Sequence, residues 1–281
     1  MSGSIAAELL VLRKRRSMWI LLGIWTVLAT FFSYLLPYVE YRNGDIGARD
    51  PDQTPLEQLL PESLAGHLSV GFPFFGGVFA LMLGVLALGS EYGWGTLRTV
   101  FVQRPGRLRV FAAKLVALGV VLVPFVLSVF AVGAVASYAI AWAEGVEANW
   151  PSAWDIGRAL VADWLILAVW AALGIALGVL SRGTALAIGV GILYALVVEG
   201  LVSAFAGQIR LLEPLVEMFL RANAYSLVES LGASTADVEN NGPGSFSGPW
   251  VGGEQAVVAL LGYVVVLLLL SGFLLRRRDV T

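Results

Sequence analysis

Six long stretches of the chain carry almost no charge, and each is bracketed by charged or turn-forming residues. A helix that crosses a bilayer needs about 20 mainly apolar residues. The stretches therefore predict spans at about 18–39, 68–90, 112–142, 160–181, 184–206 and 255–275. The uncharged run after Lys114 is the longest, about 29 residues or 44 Å of helix, against a hydrocarbon core of about 30 Å. It must tilt, kink at Pro124 or project from the membrane. Ahead of the first span, Ile5, Leu9 and Leu12 recur at helical spacing, which predicts an interfacial helix over about 3–16.

Two segments break the apolar pattern. Between the first and second spans, Pro37, Pro51, Pro55 and Pro61 leave little room for long regular structure, so Tyr38 to Gly66 reads as an external loop. Between the fifth and sixth, Gln208 to Leu231 mixes apolar residues with Arg210, Glu213, Glu217, Arg221 and Glu229. Those charges are too frequent for a span, and a pair of short amphipathic outer helices, broken near Pro214 or Asn223, fits better. The Asn-, Gly- and Pro-rich stretch that follows is turn and coil. The fold class is all-α, a polytopic membrane protein of six spans in a single domain over 1–281.

Composition agrees: 58% hydrophobic and 14% charged residues lie outside the range of water-soluble domains. Charge adds orientation, because lysine and arginine concentrate in cytoplasmic loops. Arg13, Lys14, Arg15 and Arg16, the five basic residues from Arg98 to Lys114, Arg182, and Arg276 to Arg278 all fall on one side of a six-span chain. The acidic segment from Glu40 to Glu62 falls on the other. Both termini are thus expected in the cytoplasm. The first apolar run is too long for a signal peptide and lacks a small-x-small cleavage site.

Candidate chemistry is sparse. The two lysines, Lys14 and Lys114, do not follow the glycines of a phosphate loop, so the chain is not expected to hydrolyse ATP. The one histidine, His67, supports no metal-binding spacing, and with no cysteine there are no thiolate sites. The serines in Gly242–Gly248, Ser245 and Ser247, lie in a polar loop with no histidine base near in sequence. No catalytic residue, bound cofactor, metal or nucleic-acid partner is expected. Gly174 and Gly178 in the fourth span form a GxxxG step suited to close helix packing, within or between subunits. Glu199 is an ionisable residue inside the fifth span, at the depth of the outer leaflet. It either lines a transport path or caps the outer helices through their N-terminal amides.

The segment from Glu91 to Lys114 combines glycines that interrupt helix at the membrane face, room for one short helix over Thr96 to Gln103, and five basic residues. Glu91, Gly95, Thr96, Leu97 and Arg98, then Pro105, Arg107 or Arg109, and Lys114 resemble the signature of the membrane subunits of type-2 ATP-binding-cassette (ABC) exporters. The opening from Glu8 to Trp19 and the segment from Leu180 to Gly200 are similar to the same family. The long outer stretch before the last span departs from it.

The resemblance implies a permease that pairs with a second copy or a similar subunit, in the plasma (inner) membrane. Two separate P-loop ATPase subunits, holding ATP and magnesium, would dock on its cytoplasmic face. It assigns the coupling helix to Gly95, Thr96, Leu97 and Arg98, with Glu91, Arg104 and Arg107 as ion-pair partners. It assigns a second ATPase contact to Arg13, Lys14, Arg15 and Arg16, residues that are equally suited to anionic lipid headgroups. Export of an apolar or amphipathic substrate follows from the same resemblance. The alternative, a stand-alone ion-coupled transporter, requires paired interrupted helices with midplane charge, and Pro124 and Glu199 do not form such a pair. An intramembrane enzyme would need convergent catalytic groups within the spans.

Overall fold

The structure is a computed structural model that describes residues 2–44, 54–93, 106–206, 209–233 and 251–277. Among these residues it contains helices and turns, with no strand. Six helices are long and apolar enough to cross a membrane: Arg16–Asn43, Phe72–Gly89, Leu108–Glu144, Ala153–Ser181, Thr184–Ser203 and Gly253–Arg277. Helix is the form expected, because hydrocarbon offers backbone groups no other hydrogen-bonding partners. The protein is a polytopic all-α membrane protein.

Helix α1 (Ser2–Lys14) precedes the first span, α2 (Arg16–Asn43). Between them Arg15 adopts an extended conformation, which redirects the chain. The second span is α3 (Gly77–Gly93), entered through a π turn at Phe72–Gly76. The third, α4 (Arg107–Glu144), is one helix of 38 residues that contains Pro124 without ending there. Helix α5 (Ala153–Ser181) is the fourth span and α6 (Thr184–Ser203) the fifth. The short α7 (Glu213–Glu217) and α8 (Leu220–Glu229) lead to the sixth span, α9 (Gly253–Arg277).

Helices α3 and α5 form the centre. Over their most apolar windows 72% and 67% of residues are buried, against 11%, 22% and 17% for α2, α6 and α9, which leave most of their surface to lipid or a partner. Glycine makes the central contact. A Cβ on Gly174 of α5 would lie 2.2 Å from the Leu81 carbonyl oxygen, and one on Gly84 of α3 would lie 2.1 Å from the Ala171 carbonyl oxygen. The two backbones touch, as small residues allow where apolar side chains alone give little association energy. Gly178 continues the seam against Val85 and Gly89. Of the two placements open for the GxxxG step, the structure shows packing within the chain.

Three expectations need correction. The outer helices break at Met218–Phe219, whereas Pro214 occupies the first turn of α7, where its missing amide costs nothing, and Asn223 lies inside α8. Helix α8 is no surface helix: Leu220 to Val228 are all buried. The segment ahead of the second span is more than an external loop, because its short turns (Glu57–Leu59, Pro61–Ser63) and the helix Leu64–Ser69 bury Leu59, Leu64, Leu68 and Ser69 within the protein.

Gly174→Leu is expected to force α3 and α5 apart and cost about 3 kcal/mol, read as a lower thermal midpoint of the purified protein in detergent. Gly189→Ala, with open space around its Cβ, is expected to change stability by less than about 0.5 kcal/mol.

Candidate functional site

Helix α1 and the bend after it are fixed to the bundle by polar contacts, one of them a buried ion pair. Lys114 Nζ donates to Glu8 Oε2 at 2.8 Å, both side chains being about nine-tenths buried. Arg15 reaches across to donate to the Leu86 carbonyl at 2.8 Å. Trp19 Nε1 donates to the Arg13 carbonyl at 2.8 Å, bracing the bend. With these contacts made, Arg13, Lys14 and Arg16 stay exposed.

The same face carries the start of α4 and the end of α9, since Gly272 lies against Leu108 and Phe111. It also carries the α5–α6 turn, where Arg182 adopts a left-handed conformation and Gly89 lies against Gly183 and Thr184. Gly95, Thr96, Leu97, Arg98 and Arg104 lie outside the described residues. Glu91 sits in the last turn of α3 and Arg107 in the first of α4, and their side chains also lie outside the description. The structure thus places the two ends of the predicted coupling segment beside α1 without describing the segment.

On the opposite side, Glu199 is fully buried in α6. A π turn at Tyr194–Glu199 shifts the register of the span and aims the carboxylate at α8. Leu220 N donates to Glu199 Oε1 at 2.9 Å and Arg221 N to Oε2 at 3.2 Å. The carboxylate thereby caps the N-terminus of α8, supplying partners to amides that have none within their own helix. Arg221, also fully buried, donates through Nη1 to the Ala195 carbonyl at 2.9 Å, and its guanidinium carbon lies 4.9 Å from the Phe74 ring centroid. Asn223 Nδ2 donates to the Glu217 and Phe219 carbonyls, closing the break before α8. The polar contacts of this cluster run between neighbouring helices and turns, although Arg221 Nε and Asn223 Oδ1 are buried without a hydrogen-bond partner among the described residues.

A second buried carboxyl was not singled out in the sequence. Asp163 lies in α5 and is fully buried, with Ser69 Oγ at 2.9 Å from its Oδ2 and no hydrogen-bond partner for Oδ1 among the described residues. Placing the start of the fourth span near 160 hid it. The missed signal was Ser152-Ala153-Trp154-Asp155, a reciprocal cap: Ser152 Oγ accepts from the Asp155 amide and donates to its carboxylate. That cap begins the helix at Ala153 and puts Asp163 two to three turns inside it. His67, the one histidine, bonds through Nε2 to the Ser33 carbonyl and packs edge-on against Tyr34. Among the described residues no three metal-ligating side chains converge.

The family model for ABC-2 family transporter proteins matches residues 4–280, almost the whole chain. No curated protein matches it.

Removing Glu199 leaves two buried amides without acceptors, so Glu199→Ala is expected to cost about 3 kcal/mol. Glu199→Gln retains one acceptor oxygen and is expected to fall between, with thermal midpoint and yield of folded protein as the readout. Breaking a buried ion pair from one side costs about 3–5 kcal/mol, while apolar replacement of both partners is often neutral. Glu8→Leu or Lys114→Met alone is therefore expected to destabilise strongly and the double variant much less, measured as a double-mutant cycle of thermal midpoints.

Proposed function

The chain belongs to the ABC-2 transporter family and is the membrane subunit of an ABC transporter; we propose that it is an exporter permease driven by two copies of a separate P-loop ATPase. ATP and magnesium belong to that partner, and the permease works as a pair with a second copy or a similar subunit. The cargo on this reading is apolar or amphipathic and enters from the inner leaflet. The complex resides in the plasma (inner) membrane with both termini of this chain in the cytoplasm. The basic bias of the face that carries α1, the start of α4 and the end of α9 supports that orientation.

One observation carries the proposal beyond the family match. The Glu8–Lys114 ion pair ties α1, and the Arg15–Leu86 hydrogen bond ties the bend that follows it, to the two helices that flank the segment 94–105. A partner seated there would meet one connected surface, made of the coupling segment and the exposed Arg13, Lys14 and Arg16. Gly95 to Arg98 are assigned as the coupling helix that enters the ATPase. Glu91, Arg104 and Arg107 hold it through ion pairs. Arg13 to Arg16 form the second contact, alongside attraction to anionic headgroups worth about 1 kcal/mol per basic residue.

The test is the double variant Gly95→Pro/Arg98→Glu, expressed with a tagged candidate ATPase and reconstituted. Loss of ATPase co-purification, or of the permease's effect on ATP hydrolysis, is expected, with the thermal midpoint of the permease unchanged. Intact association together with intact coupling would refute the assignment.

A further inference from the structure

On the side opposite the termini, the first turns of α5 and α9 and the end of α8 line an open cavity of about 750 Å³. Its floor is apolar, made by Ala162, Leu165, Leu227 and Val257. Its rim is not: Arg158 of α5 and Glu254 of α9 both line it, with Trp154 at the edge. Gly253 is packed against Ser230 so closely that a Cβ there would lie 2.6 Å from that side chain, which fixes the start of α9 and Glu254 with it against α8.

Arg158 and Glu254 are exposed and have no ion-pair partner among the described residues. A cation and an anion that face one apolar cavity without pairing are complementary to an amphipath whose own head carries both charges. We propose that this cavity binds a zwitterionic phospholipid with a primary amine, its phosphate on Arg158, its ammonium on Glu254 and its upper acyl carbons on the apolar floor. Trp154, 73% exposed, lies beside them as an aromatic residue at the membrane–water boundary.

Charge selects among headgroups. An anionic glycerol headgroup satisfies Arg158 but brings net negative charge to a face that also holds Glu147, Asp155 and Glu254. A choline headgroup is neutral overall, yet its methylated nitrogen has no N–H to donate to Glu254. An ethanolamine headgroup meets both requirements, through charge-assisted hydrogen bonds at each end. The proposal requires only that the chain sits in a bilayer, so it stands or falls separately from the ATPase assignment.

The experiment is native mass spectrometry of the full chain in detergent, doped with equal amounts of phosphatidylethanolamine, phosphatidylcholine and phosphatidylglycerol. Phosphatidylethanolamine is expected to be retained preferentially. Arg158→Gln is expected to weaken its binding about tenfold by removing a hydrogen bond to a charged group, and Glu254→Gln to abolish the preference over phosphatidylglycerol. Both positions are exposed, so an unchanged thermal midpoint serves as the folding control. Equal retention of the three lipids, or a preference that survives both substitutions, would overturn the proposal.

Discussion

Hydrocarbon supplies no hydrogen bonds, so each place where a helix of this protein is broken must find its partners within the protein. Two breaks show how that is met, and a third shows a weakened turn braced by its neighbours. Pro37 has no amide to offer the Ser33 carbonyl one turn earlier, and His67 fills the vacancy. Pro124 has no amide for the Val120 carbonyl, and indoles from other spans bond carbonyls on either side of that turn, Trp164 Nε1 to Gly119 at 2.9 Å and Trp25 Nε1 to Phe125 at 3.1 Å, bracing it without replacing the missing bond. The start of α8 is capped by Glu199. Each repair comes from another span or its lead-in, so satisfying the local backbone also fixes tertiary contacts.

Packing and polarity divide the work between centre and ends. The glycine seam of α3 and α5 brings two backbones together where dispersion is the main attraction available. Toward each membrane face, polar side chains take over. The Glu8–Lys114 pair and Arg15 hold one face. On the other, Glu199 and Arg221 tie α6 to α8, and the Tyr263 hydroxyl, which donates to the Met218 carbonyl, ties α9 to the turn before α8. The Tyr38 hydroxyl and Arg42 both reach Glu144, closing the ends of α2 and α4 farthest from α1. This last contact is the weakest, because Arg42 remains largely exposed and such pairs contribute at most about 1 kcal/mol.

The number of spans was legible because a membrane helix advertises itself by length and missing charge, and neither signal depends on tertiary context. Glu199 was conspicuous for the complementary reason, as an acid inside an apolar run. Its partners were not legible, since Leu220 and Arg221 offer backbone amides that any sequence provides; only the fold brings them to the carboxylate. Arg221 itself read as one polar face of an amphipathic helix, yet it is buried among Phe74, Tyr225 and the Ala195 carbonyl. Frequent charges signal exposure only where no neighbouring helix supplies carbonyls and rings to receive them. Asp163 escaped because hydropathy locates the middle of a span better than its ends, and the Ser152–Asp155 cap that sets this end is a side-chain pattern that hydropathy does not weigh.

The anchoring of α1 bears on how a force applied at the membrane face would travel. Segment 94–105 joins α3 to α4, and α1 with the bend at Arg15 is bonded to both of those helices through the Glu8–Lys114 and Arg15–Leu86 contacts. Helix α4 is continuous for 38 residues, about 57 Å, and the indoles on either side of Pro124 hold together the turn most prone to bend. At the far end the rod meets α2 through the solvent-exposed Arg42–Glu144 pair and the Tyr38 hydroxyl, the least costly of the contacts to break. The ion pair at the near end is buried and the one at the far end is partly exposed, so the two ends of α4 are held with unequal strength.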